Sequence, residues 1–536
     1  MATTAPEDAR HPQPDDHRPQ QGEGESTSPD GNREPAEPTT TWAERHRDDF
    51  VVAAIFGAAR ILFIASMGVR MDLGFLTYAP QMPDTGLLRH HLLQTILYEH
   101  TEPPLFSTFV GLLLKFSPFP DGITFQVVYL GLGLVLALVV FRIARMIGLG
   151  RVASFVAIGL VVTNPGLVAL EFNASYDEPT ALFVAVLVWA VGRYVTGGGL
   201  RYLRWAAVAA AAAVLTRTVF HPAWYLFVVL GLLALRPPKA TRRQVAVALI
   251  APALVILAFA VKNEVIYGEA TLSTFSGSSL AKIAGSASRP DEQKRLIAAG
   301  TVSPLFGRAV FWGYSVYRNA MPPCRPSHAH VGVLATELRP DNGTPNLNYE
   351  CFLPVYRLQS ADGRAYLLHR PARFLAAEAD GVQMFFEPPM PIVFTANAPN
   401  LRAAESFYDW TLFPRVQLQP FSYSDFAERR VFAAGGIEFQ PTAVLLDVGV
   451  ILIGLAQIRR LVRGRRRPGG GSRRQGAAAW AAMGLVCVWV TAIGSLFEIN
   501  ENARYRLLIE PYLLLLLALV LERAAAFARA RFPVLR

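Results

Sequence analysis

The stretch Glu171-Phe172-Asn173-Ala174-Ser175-Tyr176-Asp177-Glu178-Pro179 packs three acids, an amide and a phenol into nine positions between two apolar runs. Ionisable groups at that density can hold a polar substrate or move a proton; Glu171 and Asn173 are the stronger site candidates, with Asp177 beside them. The same residues also suit a structural task, because Asp177 before Glu178-Pro179 is placed to start a helix. Upstream, Asp72 and Asp84 follow the first apolar run, and Glu99, His100 and Glu102 precede Pro103-Pro104-Leu105. A carboxylate held against an acceptor hydroxyl acts as a general base. Asp84 and Glu171 are therefore the candidate catalytic acids, and Asp72, His100 and Glu102 candidate substrate contacts. Simple solvation of loop acids is the plain alternative.

Isolated cations accompany these acids: Arg217 with His221, Lys262, and Arg504 and Arg506 next to Glu501. A cation among apolar residues is costly unless it is paired or binds an anion. These residues read either as a substrate-binding group, for which a phosphate-bearing lipid supplies the anion, or as partners of Glu498, Glu501 and Glu510. Arg60 and Asp447 lie inside apolar runs, need partners within the protein, and read as structural.

The elements that must position these groups are apolar spans. The 536 residues are 52% hydrophobic with a mean hydropathy of +0.29, far more apolar than a soluble domain. Apolar windows that read as membrane spans occur at Val51–Val69, Ile123–Phe141, Val152–Leu170, Pro179–Val195 and Trp205–Thr216, the last short enough to be half of a tight hairpin leading into His221-Pro222. Five more occur at Pro222–Leu235, Gln244–Val261, Thr442–Ile458, Ala477–Leu496 and Leu507–Leu521. The net charge of +10 sits in short runs between these spans, so it argues for membrane topology and against nucleic acid. The loops at 142–151, 193–204, 236–243 and 459–475 hold 18 Lys or Arg and no acid. They should therefore face the cytoplasm, with both termini. The acidic loops at 171–178 and 498–506, and the long stretch between the seventh and eighth spans, should face the cell exterior.

The sequence thus reads as an α-helical polytopic membrane protein with about ten transmembrane helices, set in the plasma membrane. Helical periodicity over Asp84–His100 and Leu105–Phe116 predicts amphipathic surface helices in the first outer loop, and Pro371–Phe386 predicts another in the long outer segment. The domain order is a disordered cytoplasmic tail over 1–41, rich in Pro, Glu, Asp, Ser and Gly and without a signal peptide's pattern, then an N-terminal transmembrane module over 50–262. An extracytoplasmic segment over 263–441 follows, large enough for a small domain, then C-terminal transmembrane helices over 442–524 and a cytoplasmic tail over 525–536. Cys324 and Cys351 share the outer segment, as a disulfide or as two unrelated thiols, while Cys487 lies in a span. Five lysines among 51 basic residues fit a high-GC bacterial genome.

In order along the chain, several local features carry a resemblance. They are Asp84 after the first span, Pro103-Pro104-Leu105, the acidic loop Glu171–Glu178, and Thr216-Arg217 with His221. Lys262-Asn263 leading to Tyr267-Gly268 and Ser273-Thr274 comes next, and Glu501-Asn502-Ala503-Arg504-Tyr505-Arg506 ending at Glu510-Pro511 comes last. The arrangement resembles the C-type (GT-C) superfamily of integral-membrane glycosyltransferases, which includes protein O-mannosyltransferases and lipid A aminoarabinose transferases. The Asp-Glu pair common after the first span of that superfamily is here Asp84-Thr85, which leaves open which acid is catalytic and whether a divalent metal takes part. The resemblance implies transfer of a sugar from a polyprenyl-phosphate donor, at the outer face, to a hydroxyl on a lipid, glycan or protein. No cofactor is firmly implied, and no nucleotide loop is visible at Gly197–Gly199 or Gly469–Gly471. A transporter or flippase for a lipid-linked or anionic substrate would use the same cations without chemistry, and a membrane scaffold would need none of them.

Overall fold

The computed structural model describes residues 46–235, 241–389, 395–421, 436–463, 471–499 and 501–531. From Asp48 onward the chain forms one compact unit, and it is almost wholly helical. The first part comprises α1 (Arg47–Met67), α2 (Gly74–Tyr78), α3 (Thr85–His90), α4 (Leu92–Tyr98), α5 (Pro104–Phe116) and α6 (Asp121–Met146). Then follow α7 (Arg151–Thr163), α8 (Pro165–Glu171), α9 (Asp177–Val195), α10 (Leu200–Thr216), α11 (Pro222–Ala234) and α12 (Arg242–Tyr267). The long connecting segment holds α13 (Ser278–Ala287), α14 (Pro290–Ala298), α15 (Gly332–Ala335), α16 (Phe352–His369), α17 (Pro371–Phe385) and α18 (Ala398–Thr411). The chain closes with α19 (Pro441–Arg463), α20 (Gly471–Leu496), α21 (Asn502–Arg506) and α22 (Glu510–Arg531).

Local chemistry fixes several boundaries. Thr241 and Gln244 form a reciprocal capping box that starts α12, and Gly268, at φ 71°, ends it in the left-handed conformation that glycine adopts without strain. The expected span that was to end at Val261 therefore continues to Tyr267. Between α7 and α8 the Asn164 side chain accepts a hydrogen bond from Leu167 N at 3.1 Å. Pro165 has no N–H to continue the first helix, and the two helices bend by 62°. The periodic stretch from Asp84 to His100 forms two short helices rather than one, broken at His91.

Among the described residues, six helices are long and apolar enough to cross a membrane: α1, α6, α9, α12, α19 and, over Arg473–Leu496, α20. The bent pair α7–α8 makes a seventh if it is one span. Helices also stand at the other expected places, but α10 has 17 residues, α11 has 13, and α22 carries Glu510, Glu522 and Arg523. Length and composition thus support six or seven membrane helices among the described residues, of the about ten expected. Helix α9 is buried on nearly every face, packed against α6, α10 and α20. Helices α19 and α20 cross where Gly454 meets Gly484; a Cβ on Gly454 would stand 2.7 Å from the Gly484 Cα, a close approach only small residues permit.

The long segment carries its own apolar clusters, one built from Ile283, Leu296, Phe306, Tyr366 and Phe374. Its single described sheet pairs β1 (Val416–Leu418) antiparallel with β2 (Ile437–Phe439), Val416 opposite Phe439. Cys324 and Cys351 form a disulfide, and Cys487 is a buried free thiol. The tail expected over 1–41 lies outside the described residues, whereas the C-terminal tail expected from 525 continues α22 as far as Arg531.

Candidate functional site

Ion pairs mark the two ends of the helical bundle. At one end Arg142 pairs with Asp49 and Arg151 with Asp48, while Glu522 accepts from Gly150 N at 3.0 Å. The 142–151 loop thus meets the start of α1 and the C-terminal half of α22 there, and Gln475, whose Nε2 lies 3.1 Å from Met146 Sδ, brings the start of α20 to the same end. At the other end Asp72 bridges Asn173 through the backbone, and the acidic turn 171–178 meets the start of α21 and the end of α10.

Asp177 is the centre of that second end. Its side chain is wholly buried, and two guanidiniums converge on it: Arg217 on Oδ1, and Arg504, whose Nε and Nη2 both lie 2.6 Å from Oδ2. Arg217 leaves the end of α10 with extended backbone, which turns it back toward the first turn of α9. Aromatic faces complete the nest, with Tyr505 at 4.3 Å and Tyr176 at 4.7 Å from the Arg217 guanidinium, and Tyr176 at 5.2 Å and Phe75 at 5.3 Å from that of Arg504. Glu501 stands at the rim, 3.5 Å from Arg504 and 35% exposed. Asp177 is shared between two cations, Glu501 answers Arg504 only from the rim, and Arg217 Nε is buried without a hydrogen-bond partner among the described residues. Such a nest is suited to an anion.

Glu102 approaches from the segment before α5. Its Oε2 is buried without a hydrogen-bond partner among the described residues. Burial pushes its pKa up to about 8, opposed by Arg217 and Arg504 and assisted by Glu501. A carboxyl with a free oxygen and a pKa near neutrality beside two fixed cations can exchange a proton with a bound group. Pro103 and Pro104 fix its direction, since Pro104 occupies the first turn of α5.

Three residues earlier, Glu99 accepts from Ser107 Oγ at 2.6 Å and leaves Oε2 unpartnered; burial again lifts its pKa to about 8. Lys262 on α12 donates to the Glu99 carbonyl at 2.6 Å. His100 is fully buried between Thr274 and Asn348. Its Nε2–H donates to the Asn348 carbonyl at 3.0 Å, so Nδ1 accepts from the Thr274 hydroxyl at 2.7 Å. Burial lowers its pKa to about 3. It is a neutral pin that ties this loop to the long segment.

The remaining sequence candidates stand elsewhere. Both oxygens of Asp84 accept from backbone, Leu87 N at 3.0 Å and Asp341 N at 2.9 Å, so it caps α3 and holds the 339–344 loop. Asp72 accepts from Gly74 N and Ala396 N, again fastening two segments. Glu171 forms a two-pronged pair with Arg60, both contacts 2.5 Å, deep between α1 and α8. Asn173 Oδ1 is buried without a partner. His221 caps α11 through Nδ1 and is exposed. Arg506 pairs with Glu510 and Gln440, facing away from the Arg504 nest. Glu498, one of the acids weighed as an arginine partner, instead holds Lys282 at 2.5 Å. Among the described residues no three His, Cys, Asp or Glu side chains are grouped to hold a metal ion. Sequence reasoning passed over Tyr176 and Tyr505, whose signal was their place beside Asp177 and Arg504.

Next to the nest runs an apolar groove of about 910 Å³ between α10 and α12. Leu105 and Leu215 line it near Glu102 and Arg217, and Arg204 and Arg243 line its far end. Val208 and Val247 on its walls are half exposed or more, so it opens sideways out of the bundle.

No protein-family model matches the chain, and no curated protein matches its sequence. Among solved structures, the apo oligosaccharyltransferase of Archaeoglobus fulgidus aligns at 14% identity with a TM-score of 0.37, over 92% of this chain and 53% of that one. The same enzyme tethered with an acceptor peptide containing the NVT sequon aligns at 13% with a TM-score of 0.34, over 92% and 51%. The chain thus spans about half the length of that protein, at a similarity too coarse to place individual residues.

Proposed function

We propose that this chain is a membrane glycosyltransferase that moves a sugar from a polyprenyl-phosphate donor to a hydroxyl of a lipid, glycan or protein at the outer face of the membrane. The observation that carries the reading is the pair of guanidiniums on Asp177 close to the Leu105 and Leu215 end of a laterally open apolar groove. A lipid phosphate needs fixed cations for its head and an apolar channel for its tail, and the two adjoin here. The arginine-rich loops lie at the opposite end of the bundle, which supports the outer face for the nest. The disulfide in the long segment supports an oxidising exterior.

In this reading the donor phosphate sits against Arg217 and Arg504, with Lys262 nearby. The acceptor hydroxyl loses its proton to Glu102 as its oxygen attacks the anomeric carbon. The bond from that carbon to the phosphate oxygen breaks, its electron pair stays on the lipid phosphate, and the sugar's configuration inverts. Arg217 and Arg504 are fixed before the reaction and stabilise the charge that grows on the departing phosphate. Glu102 takes the base role that the sequence assigned to Asp84 or Glu171, because both oxygens of Asp84 cap backbone and Glu171 is locked to Arg60.

The bent pair α7–α8 beside the same nest favours one second reading, a transporter or flippase for a lipid-linked anion. One experiment separates them: purified full-length protein is given a radiolabelled polyprenyl-phosphate sugar and a panel of hydroxyl acceptors, in detergent and in sealed vesicles. Labelled product in wild type, with kcat reduced about 10²- to 10⁴-fold in E102Q, supports transfer. Movement of donor across vesicles with no product from any acceptor supports transport instead.

A further inference from the structure

We propose that the far end of the α10–α12 groove seats an anionic phospholipid of the cytoplasmic leaflet, its phosphate on Arg204 and Arg243 and an acyl chain between the helices. Both arginines line the groove and are exposed, and neither forms an ion pair among the described residues. Arg142 and Arg151 at the same end of the bundle are, by contrast, neutralised by Asp49 and Asp48. The groove thus ends in two guanidiniums without an internal anion among the described residues.

Its length supplies the second observation. The lining runs from Leu200 to Leu215 on α10, roughly 22 Å at 1.5 Å rise per residue, while one leaflet of hydrocarbon is about 15 Å deep. The groove is therefore longer than one leaflet, and its arginine end reaches the leaflet opposite Leu105. The wall at mid-depth is built of Ala211, Ala212, Ala248 and Ala251, whose small side chains leave room for an acyl chain. The arginine excess of the adjoining loops assigns that end to the cytoplasmic leaflet, where anionic headgroups attract such cations. This site is independent of any transfer reaction at the nest.

The test is lipid retention. The full-length protein is placed in nanodiscs of equal phosphatidylglycerol and phosphatidylcholine, and the lipids that stay bound on release are counted by native mass spectrometry. Wild type is expected to keep phosphatidylglycerol preferentially. The double variant R204Q/R243Q should lose that preference by on the order of tenfold, while R459Q/R460Q on the same end of the bundle keeps it; size-exclusion profiles check that all three are folded. Saturating polyprenyl phosphate should leave the bound phosphatidylglycerol in place. No preference in wild type, equal loss in both doubles, or displacement by polyprenyl phosphate would each overturn the proposal. Because no turnover is measured, failure here is separable from failure of the glycosyltransferase reading.

Discussion

Arg504 and Asp177, 327 residues apart in the chain, meet through two contacts of 2.6 Å on one carboxylate oxygen, while Arg217 takes the other oxygen. Asp177 is the joint between α9, the end of α10 and α21, and the only anion that both guanidiniums contact directly among the described residues. D177N would leave two buried cations facing each other. Removing one partner of a buried pair costs about 3–5 kcal/mol, so D177N should unfold at a markedly lower temperature than wild type. Adding R504Q to D177N should recover part of the loss. A double-mutant cycle by thermal unfolding in detergent measures it; strictly additive losses would show that the two side chains are not coupled.

Asp84 and Glu102 separate structure from chemistry. D84N keeps an amide oxygen to cap Leu87 N, since Asn caps as well as Asp, but turns its NH2 toward Asp341 N, and losing that hydrogen bond costs about 1 kcal/mol. The expected outcome is a modest fall in Tm with kcat within about twofold of wild type in the labelled-sugar assay. A kcat loss as large as that of E102Q would return the base role to Asp84.

His100 makes stability depend on pH, and the sign follows from its direction of shift. Its folded pKa of about 3 lies below the unfolded 6.5, so the unfolded chain binds the extra proton between those values. The stability contributed by neutral His100 is present above pH 6.5 and is lost as pH falls toward 3, by on the order of 5 kcal/mol in all. Glu99 and Glu102 act oppositely: with folded pKa values near 8 against 4.5 unfolded, they lower stability as pH rises from 4.5 to 8. Two glutamates outweigh one histidine above pH 4.5, so from these groups Tm against pH should peak near pH 4.5. In H100N the acid-side slope should flatten while the slope above pH 6.5 stays, and an unchanged acid limb would remove His100 as its cause.

How much of this was legible in the sequence depends on the distance over which each choice is made. Apolar length and periodicity are local, and helices stand at the expected spans because fixing them needs only neighbouring residues. The bend at Asn164-Pro165 was not anticipated, although a proline after a capping residue is a local signal. Ion-pair partners are decided by packing across hundreds of residues, so Arg504 was weighed against Glu498, Glu501 and Glu510 and found chiefly on Asp177. Arg506 did take Glu510, one turn away on the same segment. Asp84 stood out as an acid in a loop, but the donors that occupy it include Asp341 N, brought there by a segment whose fold no periodicity announces.

The disulfide between Cys324 and Cys351 closes a loop of 27 residues at the start of α16, where Cys351 is fully buried. Cross-linking a loop of that size removes conformational freedom from the unfolded chain worth roughly 3 kcal/mol. C324S/C351S should therefore unfold at lower temperature, and reductant should lower the Tm of wild type but not that of the double variant. The nest itself is built from α9, α10 and α21, none of which carries either cysteine. Labelled-sugar transfer below the new Tm should then stay within about twofold of wild type. A loss of transfer in folded C324S/C351S protein would show that the 324–351 loop, whose Asn348 holds His100 and Thr101, also fixes Glu102 rather than merely bracing α16.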